Sequence, residues 1–267
     1  MRNFLYFLLS LLVAGGAPAA AQTAEEQAQL DWVVQRGRLL FEIDRAAWVT
    51  TDDLRERVPD LAAAGIRGWT VESDDAGYNV IYYAGDRDAR VAAYGARVEN
   101  NRVVAAELRP EGSRPPLTPI QRRIANARDV IERDVLHDLR FCARANPNLA
   151  IIPPDEPDGP IDVYVLTPQV QTGVWPAGGH HRVTLSAEGA ILASRQFTNS
   201  CVDLGSGPSD REIPVALFVT HLLDPVPTEI HVFTSLTSQL PLGVGMESPD
   251  RTWWVAGDRI ELDRGQP

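Results

Sequence analysis

The sequence predicts an α+β fold with two antiparallel β-sheets, an N-terminal meander and a larger C-terminal sheet, and a long central amphipathic helix between them in the chain. Three observations carry this. Residues 68–108 hold two pairs of runs rich in β-branched and aromatic residues, each pair set about a polar turn. Residues 118–142 place Ile120, Ile124, Ala127, Ile131, Val135, Leu139 and Cys142 at steps of three and four, one stripe of a helix. From Leu149 onward, short apolar runs and turn residues alternate without an intervening helical pattern, which favours antiparallel pairing over βαβ units.

Taken in order, the chain opens with "MRNFLYFLLSLLVAGGAPAAAQ". Arg2, the apolar run from Phe4 to Ala14 and the small residues Ala19-Ala20-Ala21 form the three parts of a secretory signal peptide, residues 1–21, cut near Ala21. The apolar run is short of the roughly 20 residues a spanning helix needs, and Gly15, Gly16 and Pro18 interrupt it. The expectation is a periplasmic or secreted protein with no transmembrane segment in its mature chain.

Residues 22–112 form the first region. Thr23 and Glu26 make a capping box ahead of Leu30, Val33, Val34 and Leu40, which recur at near-helical spacing, while Gly37 weakens the second half. "TTDDLRERVP" reads as a separate short helix, capped by Thr51 and stopped at Pro59. The four strands of the meander follow, with turns at Gly77 and at Asn100-Asn101, a dipeptide able to supply the positive φ angles of a tight hairpin.

"RPEGSRPP" reads as a linker into residues 113–267. The central helix starts with Thr118 as cap, Pro119 in the first turn and Gln121 closing a second capping box. Its stripe ends on Cys142. Strands are expected at 161–167, 180–187, 190–197, 214–220 and 228–236, and in a hairpin over 251–262 turning at Gly257-Asp258.

Composition excludes several chemistries. All 25 basic residues are arginine, so a lysine Schiff base, a lysine nucleophile and a P-loop lysine are ruled out. The net charge of −11 argues against unspecific binding to nucleic acid or anionic membranes, and loss of the leader removes an arginine and no acid. No G-x-S-x-G, G-x-G-x-x-G or H-E-x-x-H motif occurs. Cys142 and Cys201, an even pair in an oxidising compartment, are expected to form a disulfide.

The remaining chemistry-bearing residues cluster late in the chain. If 228–236 is a strand, Glu229 and His231 share one face, and His221 at the end of the preceding strand comes near them. His180 and His181 are adjacent in a strand and face opposite ways, so one of the two completes the set. His180 or His181 with His221, Glu229 and His231 suits a divalent ion such as zinc, or a general base. The competing reading is a hydrogen-bonded Glu229–His231 pair beside a buried His221.

Trp175, in a loop with nearby glycines, is the candidate ligand-stacking residue. Of Trp253 and Trp254, adjacent in a strand, one belongs to the core. The leading functional expectation is an exported, non-catalytic binding or structural module of the cell envelope, needing no cofactor. The alternatives are a metal-binding protein or metal-dependent hydrolase, and recognition of an envelope polymer through exposed tryptophan.

Overall fold

The computed structural model describes residues 23–205, 214–247 and 251–263. The expected leader, residues 1–21, lies outside the described residues. Among the described residues, no helix is long and apolar enough to cross a membrane.

The first helix, α1, runs unbroken from Ala24 to Arg57. Its capping box forms as expected: the Thr23 amide donates to Glu26 Oε2 and the Glu26 amide to Thr23 Oγ1, each at 3.1 Å. The two short helices expected here are one. Thr51 does not cap a second helix, because its hydroxyl donates back to the Ala47 carbonyl at 2.7 Å, as Thr50 does to Ala46 at 2.8 Å. Val58, whose ψ of 88° is extended as the residue before proline requires, ends the helix.

Strands β1 (Ile66–Asp74), β2 (Gly77–Ala84), β3 (Val91–Glu99) and β4 (Arg102–Leu108) pair antiparallel in that order. Asn100 and Asn101, at φ 49° and 60°, make the expected tight turn. One face of this meander (Val71, Val80, Tyr82, Tyr94, Ala96 and Val98) packs on Leu40, Ile43, Ala47 and Leu54 of α1.

Helix α2 (Pro119–Val130) starts at the expected cap and first-turn proline. It then passes into a π-helical stretch, Ile131–Val135, and a 3₁₀ turn, Leu136–Asp138. The stripe expected to reach Cys142 therefore stops early. Leu139 is extended (ψ 143°), and Cys142 lies beyond the helix and forms a disulfide with Cys201 at a Cα separation of 5.3 Å. The longest helix of the fold is the N-terminal one.

Strands β5 (Asn148–Ile152), β6 (Ile161–Leu166), β8 (His181–Leu185) and β9 (Ile191–Gln196) form a second antiparallel sheet. It is covered on both sides. Ile151, Val163, Val165 and Val183 face Ile124, Ala127 and Ile131, while Ala150, Ile152, Tyr164 and Phe197 join the cluster around α1. Helix α1 is thus sandwiched between the meander and the second sheet, and one apolar cluster spans residues from both halves of the chain.

Two further pairings follow, and only the second departs from the antiparallel expectation. Short strands β7 (Val174–Pro176) and β10 (Asp203–Gly205) pair by themselves. Strand β11 (Leu217–Thr220) pairs parallel with β12 (Leu242–Gly245), and the crossover between them is a helix, α3 (Glu229–Ser238). The segment expected as a strand over 228–236 is that helix. Every residue from Glu229 to Ser235 is buried, so no polar face marks a helical period, and packing overrides its β-branched composition. Strands β13 (Thr252–Ala256) and β14 (Arg259–Leu262) complete the third sheet. Trp253 is fully buried there, and Trp254 on the opposite face meets Phe218 at 5.0 Å.

Candidate binding cleft

The histidines expected to converge are placed by the α3 crossover. On a helix, positions two apart are separated by roughly 200°, so Glu229 and His231 face different ways rather than together. Glu229, in the first turn of α3 and 1 % exposed, accepts from Arg182 Nη1 at 2.7 Å and from the Tyr164 hydroxyl at 3.1 Å. His231 caps its own helix: its Nδ1 accepts from the Thr228 amide at 2.8 Å. Burial, with the neighbouring His221 adding to it, pushes the His231 pKa down to about 3, so the ring is neutral.

His221 meets the His231 ring edge-on at 4.8 Å between centroids. Its Nε2 lies 2.7 Å from Asp224 Oδ2, which also accepts from Arg195 at 2.6 Å. Burial works to raise the Asp224 pKa, but the His221 and Arg195 contacts outweigh it and hold the carboxyl below its usual range. His180 is enclosed. Its Nδ1 accepts from the Thr167 amide at 3.2 Å, its Nε2 sits 3.0 Å from the Pro176 carbonyl, and burial brings its pKa to about 4. His181 turns the other way, toward the Arg140 carbonyl. Of the expected set, His221 and His231 come together; Glu229, His180 and His181 each point into separate hydrogen-bond networks. Among the described residues, no group of three His, Cys, Asp or Glu side chains is arranged to hold a metal ion.

A different part of the molecule is concave. A cleft of about 790 Å³ runs between the middle of α1, the start of the meander, the β6–β7 connection and the end of α3. That volume is within the range of small-ligand sites. Helix α1 lines it with Phe41, Asp44, Arg45, Trp48, Thr51 and Arg55, a stripe at steps of three and four extending along about 21 Å of helix axis. Opposite lie Arg67 and Trp69 of β1, and Trp175 of β7.

The three tryptophans are held in different ways. Trp48 is 55 % exposed and carries the Arg45 guanidinium over its ring at 4.4 Å. Trp69 is fixed by Arg128 over one face at 4.2 Å and by Tyr82 with a centroid separation of 6.0 Å. Trp175 lies across the backbone of Gly205, where a Cβ would come within 2.8 Å of the indole; at φ +88° that position favours glycine in any case. The aromatic residue singled out in the sequence therefore does line the cleft. Trp48 and Trp69 join it there.

Among the described residues, Asp44 is the only acidic side chain lining the cleft. Among the described residues it has no hydrogen-bond or salt-bridge partner. Desolvation raises its pKa to about 6, with the nearby Arg45 charge pulling the other way. Splitting α1 at Thr51 hides this stripe in the sequence. Read as one helix, Asp44, Trp48, Thr51 and Arg55 share a face.

Compared with protein-family models, with curated proteins and with solved structures, the chain finds no match in any of the three.

Proposed function

We propose that the protein is a non-catalytic binding module of the cell envelope that holds an extended, ring-bearing ligand in the cleft between α1, β1 and α3. The observation that carries this reading is the meeting of Trp48, Trp69 and Trp175 on one concave surface. Indole faces give large, rigid contact area at low entropic cost, and an exposed tryptophan in a cleft is a natural stacking platform. The Cys142–Cys201 disulfide supports maturation in an oxidising compartment, in keeping with the leader-like pattern of residues 1–21. Retention on purified peptidoglycan tests the reading. Wild type is expected to be retained and Trp48→Ala and Trp175→Ala to be retained less; equal retention of all three, at unchanged Tm, counts against it.

One observation favours a second reading. An unpartnered carboxyl with a pKa near 6 in a cleft has the properties of a general acid or base. In that reading Asp44 serves a hydrolase, and Asp44→Asn abolishes turnover while leaving ligand affinity in place.

A further inference from the structure

Three arginines of the cleft, Arg45, Arg55 and Arg67, gather on one concave surface. Several arginines packed elsewhere are neutralised: Arg36 pairs with Asp162, Arg182 with Glu229, Arg195 with Asp224 and Arg251 with Glu26. Arg45, Arg55 and Arg67 all line the cleft, and among the described residues none of them makes a salt bridge or donates a hydrogen bond. Arg45 stacks on Trp48 and feels the field of Asp44; Arg55 and Arg67 are exposed. A guanidinium offers five donors in a planar fork matched to a carboxylate. Three such forks with no carboxylate or hydrogen-bond partner among the described residues, converging on one cleft, offer a negative ligand several donors at once.

The rest of the lining narrows the chemistry. Between the arginines and tryptophans stand neutral amides and hydroxyls, including Asn101, Asn148, Gln169, Thr167, Thr234 and Thr237. Such groups donate and accept, as a ligand rich in hydroxyls requires, while indoles stack on ring faces. The acidic surface outside the cleft repels long polyanions, so attraction must act at contact range. Building on the proposed binding role, we infer that the ligand is a short acidic oligosaccharide whose carboxylates pair with Arg45, Arg55 and Arg67 while its rings stack on Trp48 and Trp175.

Calorimetric titration with three probes tests this: a galacturonic acid trimer, maltotriose as its neutral counterpart, and a thymidine trinucleotide. The acidic trimer is expected to bind at least about ten-fold more tightly than maltotriose at low salt, as one charge-assisted hydrogen-bonded pair implies. The combined R45Q, R55Q and R67Q variant should lose that difference and keep its affinity for maltotriose. W48A should weaken both sugars. Arg67→Gln alone, on an exposed side chain, provides the same test should the triple variant fold poorly. Equal binding of acidic and neutral trimers overturns the inference and leaves the sugar-stacking cleft standing. Tighter binding of the trinucleotide overturns it in favour of a nucleic acid ligand. Binding of none of the three, in a folded protein, removes both the inference and the role on which it rests.

Discussion

A Cβ placed on Gly37 would stand 2.6 Å from the Val232 Cβ and 2.6 Å from the Glu229 carbonyl oxygen. The two helices α1 and α3 therefore touch nearly backbone to backbone, and the glycine that weakens the helical pattern of α1 is what permits the crossing. On an open helix, Gly→Ala stabilises by about 0.4–1 kcal/mol. Here the sign reverses. Gly37→Ala is expected to destabilise by about 1–3 kcal/mol, as overpacking does, and urea unfolding measures it. A stabilised variant would show that α1 and α3 do not cross at this point.

The enclosed histidines tie stability to pH. An unfolded histidine titrates at about 6.5, whereas the native state holds His231 at about 3 and His180 at about 4, chiefly by burial. Their folded pKa values are depressed, so the stabilisation they carry as neutral groups is complete above pH 6.5 and declines as the unfolded chain takes up protons below it. Between pH 6.5 and 5 the loss is roughly 2 kcal/mol for each such ring. His231→Gln, which keeps an acceptor for the Thr228 amide, should flatten part of that slope in unfolding measured at pH 7.5 and pH 5.

Asp44 acts in the opposite direction. Its folded pKa of about 6 lies above the ordinary value of 3.8, so the native state binds a proton more tightly than the unfolded chain. The charged form is a cost, absent below pH 4 and fully present above pH 6. Asp44→Asn is expected to be neutral at pH 4 and to stabilise the protein by roughly 1–2 kcal/mol at pH 7.5. Thermal melts of the variant and wild type at the two pH values provide the comparison. An equal difference at both would mean the carboxyl is solvated rather than desolvated.

How much of this was legible depended on whether a segment has two distinguishable faces. Helix α2 announces its start through Thr118, Pro119 and Gln121, and the meander through Asn100-Asn101, because caps and tight turns are local chemistry. Helix α3 has no exposed face along Glu229–Ser235, so its period is erased and its β-branched residues read as a strand. That misreading moved Glu229 and His231 onto one surface and produced a histidine cluster of which only His221 and His231 meet. The cleft stripe was hidden for a related reason. Thr50 and Thr51 resemble caps in one dimension, while in three they bond back to Ala46 and Ala47 and to the Tyr82 hydroxyl, leaving the helix intact through Arg57.

The position of α1 also sets the order in which the molecule can be completed. Leu40 and Leu54 belong to a cluster closed by Tyr94, Ala150, Phe197 and Phe233. The segment synthesised early therefore waits for partners from nearly the whole chain before its apolar side is shielded. Such long-range closure makes assembly slow and leaves the newborn polypeptide open to helpers that bind greasy surfaces. Tightening into the native shape cannot finish until the ribosome has delivered the crossover helix.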